Sequence, residues 1–82
     1  GMAMDVKGNL YVAHWGSGMI YVHEPVKGRV IGELEIPEPG ALNPTNVGFG
    51  GKENKTLFIT ESVNRNIWTI ELENEGMVMP PE

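Results

Sequence analysis

The chain contains no cysteine, so neither a disulfide framework nor a thiolate zinc site contributes to its stability. Basic residues are also few. Its six Lys and Arg (Lys7, Lys27, Arg29, Lys52, Lys55 and Arg65) are scattered against eleven Asp and Glu, for a net charge of −5. That distribution leaves no clustered basic surface for a nucleic acid. No stretch approaches the roughly 18 apolar residues of a membrane span, and the first residues lack the basic and apolar regions of a signal peptide. A soluble, cytoplasmic chain with no membrane partner is therefore expected. Helical periodicity is missing as well, since no window carries a sustained apolar stripe.

What is present is strand and turn. Leu10-Tyr11-Val12-Ala13, Met19-Ile20-Tyr21-Val22, Thr56-Leu57-Phe58-Ile59-Thr60 and Asn66-Ile67-Trp68-Thr69-Ile70 are short runs rich in β-branched and aromatic residues. Eleven Gly and six Pro punctuate them, notably at Lys7-Gly8-Asn9, Gly16-Ser17-Gly18, Lys27-Gly28 and Gly50-Gly51. At 82 residues a domain buries only roughly 60% of its unfolded surface. Packing within the chain, or against a partner, has to hold it together.

The two halves resemble each other. Adding 47 to Leu10, Tyr11, Val12, Ile20, Tyr21 and Glu24 gives Leu57, Phe58, Ile59, Ile67, Trp68 and Glu71, whereas adding 45 to Met2 and Met4 gives Val47 and Phe49. The second half thus has the longer first turn. A period of about 45 residues holding several short strands is the pattern of β-propeller blades. The expected fold is all-β and propeller-like, with two antiparallel four-stranded meanders forming one partial domain over residues 1–82. The first unit spans residues 1–37, with strands Met2 to Asp5, Asn9 to His14, Met19 to His23 and Arg29 to Ile36. The second spans residues 44–82, with strands Thr45 to Phe49, Thr56 to Thr60, Ile67 to Leu72 and Gly76 to Met79. Residues 38–43 join them, inside a stretch whose prolines Pro37, Pro39 and Pro44 interrupt strand ladders.

Two segments carry a family resemblance. Gly1-Met2-Ala3-Met4-Asp5 with Gly8-Asn9-Leu10-Tyr11-Val12-Ala13 resembles the "DGMxxDxxGNLYVA" segment of the gluconolactonase and regucalcin (senescence marker protein) family. Pro44-Thr45-Asn46-Val47-Gly48-Phe49-Gly50-Gly51 with Lys55-Thr56-Leu57-Phe58-Ile59-Thr60 is similar to that family's "PTNVAFGG…KTLYIT". The resemblance implies the last third of a six-bladed propeller. It also implies a metal-dependent lactone hydrolase, with calcium or zinc held by Glu, Asn and Asp at the mouth of the central channel. The family's catalytic, metal-binding Asp immediately precedes the Gly that matches Gly1, and its Glu and Asn ligands belong to earlier blades. The resemblance therefore hands this chain no catalytic and no metal-ligating residue. Asp5 matches a turn-side Asp at the far end of the first strand. Gly1-Met2 reads either as a remnant of tag cleavage before a start at Met2 or as an internal stretch of a longer protein.

Meander topology gathers alternate loops on one rim: Gly1 and Met2, His14 and Trp15, Thr45 and Asn46, Glu61 and Ser62. His14, Trp15, Asn46 and Glu61 are the candidate ligand-binding residues. Asn46 and Glu61 offer oxygens to a hard cation and His14 a nitrogen, while Trp15 beside Gly16-Ser17-Gly18 can stack a sugar-like ring. Each has a plainer alternative. His14 serves equally as a strand-end residue and Asn46 as a turn residue after Pro44, and Glu61 is expected to face solvent. Trp68, matching Tyr21, is expected in the core.

Two meanders leave open sheet edges, which seek further strands. The chain is expected to pair with itself, first as a trimer closing a ring, or with the missing blades of a longer chain. Two function classes remain open at this point. One is part of a lactone hydrolase lacking a complete site, with a small sugar lactone or acid as ligand. The other is a non-catalytic module for small-molecule binding or oligomeric assembly, since fold alone does not fix function.

Overall fold

The structure is a computed structural model and describes residues 1–38 and 40–77. It is all-β. Strands β1 (Met2–Met4), β2 (Leu10–His14), β3 (Met19–His23) and β4 (Val30–Glu35) form one antiparallel sheet in chain order. Strands β5 (Pro44–Gly50), β6 (Thr56–Glu61) and β7 (Asn66–Glu71) form a second, three-stranded one. Each is a meander, because every connection is short enough to return the chain to the neighbouring strand.

The pairing registers of the two sheets correspond residue by residue. Val12 lies opposite Tyr21, and Ile59, 47 residues beyond Val12, lies opposite Trp68, 47 beyond Tyr21. Met4 pairs with Leu10 as Phe49 pairs with Leu57. The longer first turn of the second sheet is a 3-10 turn at Lys52–Asn54.

The second sheet differs from expectation in its fourth strand. Gly76 bridges Asp5 across the free edge of β1 instead of pairing with β7. Val6 N donates to Glu75 O and Met77 N to Met4 O, both at 2.9 Å. Val78 and Met79, also assigned to that strand, lie outside the described residues. The reason is local: the edge of β1 offers unpaired backbone groups, and Gly76 has no side chain to obstruct the approach. A Cβ at Gly76 would overlap the Phe49 ring.

One face of each sheet is covered by the other. Tyr11, Ile20 and Val22 from the first sheet meet Val47, Leu57 and Ile59 from the second, with Ile36 and Ala41 closing the layer from the β4–β5 connection. The Tyr11 and Phe49 rings meet edge to face, with centroids 5.3 Å apart. Trp68 packs against this layer half-buried, and its indole Nε1 is buried without a hydrogen-bond partner among the described residues.

Three turns are organised by a carboxylate. Fully buried Asp5 accepts hydrogen bonds from Lys7 N, Asn9 N, Asn9 Nδ2 and the Tyr11 hydroxyl. Glu24 accepts from Val26 N, Lys27 N and Arg29 N. Glu61 accepts from Asn43 N, Val63 N and Asn64 N. Glu24-Pro25-Val26-Lys27 closes on Gly28 at φ 72°, and Glu61-Ser62-Val63-Asn64 closes on Arg65 at φ 59°. The second turn thus places a side chain in the left-handed region where the first has glycine.

Burial pushes the Asp5 carboxyl up, but the hydrogen bonds from Asn9, Tyr11 and Lys7 together outweigh it and hold the group below its ordinary value. Burial, the hydrogen bond to Asp5 and its charge push the Tyr11 hydroxyl up to about 12. At Glu61, burial is again outweighed by the amides of Asn64, Asn43 and Val63. The amides of Lys27, Arg29 and Val26 lower Glu24 against a smaller rise from burial.

These carboxylates bind protons less readily folded than unfolded. Their stabilising contribution is complete above the ordinary carboxylate range near pH 4 and is lost as pH falls through the lowered folded values. Urea midpoints should therefore hold from neutrality to about pH 5 and then drop. Asp5→Asn should cost about 1–3 kcal/mol at neutral pH and flatten that drop; an acid limb unchanged by the substitution would exclude Asp5 as a contributor. Gly76→Ala should lower stability by about 1–3 kcal/mol through overpacking against Phe49, read as a lower thermal midpoint. Arg65→Gly should instead raise stability by about 0.5–1 kcal/mol, by relieving the left-handed residue.

Candidate functional site

The inner strands β1 and β5 bring two segments distant in sequence to one end of the sheets. The Gly1 amino group donates to Thr45 O at 3.1 Å, and Ala13 N donates to Gly1 O at 3.0 Å. Gly1 lies so close to Asn46 that a Cβ on it would overlap the Asn46 side chain. The β5–β6 register shifts between Pro44 and Asn46, leaving Thr45 as the extra residue. Such a bulge re-aims side chains at a sheet rim: Thr45 and Asn46 are both exposed. The Thr45 and Thr60 hydroxyls lie 2.7 Å apart, and Asn46 Oδ1 accepts from Val47 N at 2.9 Å.

The four candidate ligand-binding residues are placed unequally. Asn46 stands exposed at the Gly1 rim, its amide NH2 without a hydrogen-bond partner among the described residues. His14 ends β2, exposed, its ring edge-on to Tyr21 at a centroid distance of 5.3 Å. Trp15 follows it at 63% exposure, the indole lying open in the β2–β3 turn. Glu61 does not face solvent as expected. It is only 3% exposed, because its two oxygens are drawn inward by the three amides that it caps. No hydrogen bond joins His14, Trp15 or Glu61 to Asn46 among the described residues.

Sequence reasoning passed over a cleft of about 790 Å³ beside the inner strands, lined by Met2, Met4, Leu10, Val47, Phe49 and Met77, with Asn54 as its polar member. Its signal was already visible in the 45-residue spacing that relates Met2 and Met4 to Val47 and Phe49. The cleft is apolar apart from Asn54.

The donor chemistry can be tested against a divalent ion. Hard cations take several oxygens at once, but both Glu61 oxygens are committed to backbone amides and Asn46 Oδ1 already accepts from Val47. No group of three or more His, Asp or Glu that could hold a metal occurs among the described residues. These residues alone therefore do not fit a metal centre. No helix among the described residues is long and apolar enough to cross a membrane.

Comparison with known proteins agrees with the motifs. Residues 1–77 match the sequence model of the SMP-30/gluconolactonase/LRE-like region. The chain is 36% identical over 76 residues to the diisopropyl-fluorophosphatase of Loligo vulgaris, covering 93% of this chain and 23% of that protein. It is 32% identical over 65 residues to a putative sugar lactone lactonase of Bacillus subtilis, covering 79% and 21%. With the regucalcin of Bos taurus it shares 27% over 82 residues, covering 100% and 24%. The chain thus spans 21 to 24% of the length of the curated relatives it matches. With the family's sequence pattern running through both sheets, the chain belongs to the SMP-30/gluconolactonase/LRE-like family.

Proposed function

We propose that this chain forms part of a metal-dependent sugar-lactone hydrolase, with the Gly1–Asn46 rim at the mouth of its site. The supporting observation is the convergence of Gly1, Thr45 and Asn46 on one rim, within a chain that matches the family over residues 1–77. In lactone hydrolysis, water oxygen adds to the carbonyl carbon, the ring C–O bond breaks, and a proton passes to the departing alkoxide to leave a hydroxy acid. Calcium or zinc is the ion expected to supply the Lewis acid. The described residues do not hold such an ion by themselves, so its ligands would be other residues.

On this reading the chain's own groups bind and orient. Asn46 Oδ1 is held by Val47 N, which leaves the amide NH2 to donate to a hydroxyl or carbonyl of the ligand. Exposed Trp15 offers an apolar face for the C–H side of a sugar ring, and His14 borders it. The alternative is a non-catalytic module for small-molecule binding or oligomeric assembly. It draws support from Glu61, whose oxygens are occupied by the fold.

The purified chain, supplied in turn with calcium, zinc and manganese, should not hydrolyse gluconolactone above the buffer rate. Metal-dependent turnover would show a complete site and overturn the partial-site reading. In parallel, gluconate titrated into labelled protein should shift the Trp15 indole and Asn46 side-chain amide resonances and leave Trp68 unmoved. If neither resonance moves, the rim is not a ligand site.

A further inference from the structure

Glu24, just after β3, and Glu61, at the end of β6, each cap the turn that follows, but they do so differently. Glu24 accepts from Val26 N, Lys27 N and Arg29 N, all within its own turn. Glu61 accepts from Val63 N and Asn64 N in its own turn, whereas its third donor, Asn43 N at 3.1 Å, lies 18 residues earlier, in the β4–β5 connection. Ser62 N donates in return to Asn43 O, also at 3.1 Å. Both backbone groups of Asn43 are therefore held by the Glu61–Ser62 pair.

The reason for the remote bond lies in the next residue. Pro44 is fully buried opposite Glu61 in the β5–β6 register and has no N–H to give the ladder. The Glu61 carboxylate takes the N–H one residue earlier instead. Thr45 follows as the extra residue of the bulge, and Asn46 resumes the pairing opposite Thr60. The bulge is thus fixed at both ends, by the Asn46–Thr60 pair on one side and by the grip on Asn43 on the other. Its position matters, because a shift of one residue carries a side chain to the other face of a sheet.

We propose that Glu61 is a positioning residue for the rim: by gripping Asn43 it locks the Thr45 bulge and so sets where Asn46 stands against Gly1. Its consequence for ligand affinity rests on the reading of the rim as a ligand site. Glu61 does not act on a ligand directly, since it is buried with both oxygens turned to the three amides. Glu24 has the same side chain and the same number of amide partners, but no bond to the β4–β5 connection among the described residues. It is the matched control.

Glu61→Gln keeps the shape of the side chain but turns an NH2 toward one of the donors. In amide spectra of the labelled chain it should move the Thr45 and Asn46 backbone resonances and the Asn46 side-chain amide, whereas Glu24→Gln should change only its own turn. The gluconate concentration at half saturation should rise about tenfold in Glu61→Gln, as for one lost hydrogen bond, and stay unchanged in Glu24→Gln. In the unaltered chain the Asn43 amide, which has no other acceptor among the described residues, should exchange with solvent at least about tenfold more slowly than an unprotected amide. That measurement decides the question even where Glu61→Gln fails to fold. Unmoved Thr45 and Asn46 resonances in folded Glu61→Gln, equal movement of them in Glu24→Gln, or an unprotected Asn43 amide would each overturn the proposal. Failure of the unaltered chain to bind gluconate would remove the ligand reading alone, because the placement of Asn46 is read from spectra taken without ligand.

Discussion

The structure depends on one apolar layer, in which Tyr11, Ile20 and Val22 meet Val47, Leu57 and Ile59. With no disulfide and no packed helix, nothing else among the described residues buries comparable apolar surface. Every connection is arranged around it. Ile36 and Ala41 reach back from the β4–β5 connection to cap the layer, tied to the β2–β3 turn by hydrogen bonds between Gly18 and both Ile36 and Leu42. The Gly76 segment crosses to β1 on the far side, pressed against Phe49. A layer of this size is marginal for 82 residues, which makes the polar chemistry of the turns matter more than it would in a larger domain.

That chemistry is largely a matter of satisfying amides. A tight turn leaves several backbone N–H groups pointing inward with no ladder partner, and one carboxylate can accept from three of them. Glu24 and Glu61 each do so, while Asp5 accepts from two backbone amides and the Asn9 side-chain amide at the first turn and holds the Tyr11 hydroxyl as well, linking the turn to the core. Because the acceptor is charged, these bonds are stronger than neutral ones. The lowered pKa values of Asp5, Glu24 and Glu61 express the same preference for the ionised form.

Much of this was legible in the sequence. Strand positions followed from β-branched and aromatic runs bounded by Gly and Asn, and the 47-residue offset anticipated the register in which Val12 faces Tyr21 and Ile59 faces Trp68. The fourth strand of the second sheet was not legible. Its placement depends on Gly76 fitting beside Phe49 and on the open edge of β1, a contact between residues far apart in the chain. Glu61 was misjudged for a related reason. A Glu after alternating strand residues reads as solvent-facing, and only the three-dimensional turn reveals the amides that draw it inward. Asn46 lies at the strand entry after Pro44, and the bulge that exposes both Thr45 and Asn46 has no sequence signature.

The separation of scaffold from chemistry follows from this. In a domain with so small a core, acidic side chains near turns are used to hold the backbone, and a carboxylate that already accepts three amides would have to release them before it could bind a cation or move a proton. Asp5 and Glu61 are both in that position. Reactive groups must instead come from side chains that the fold does not need. At the rim these are the exposed Asn46, His14 and Trp15. Hydrogen bonding and stacking are what such residues can do, whereas the carboxylates of these two sheets are committed to holding the backbone.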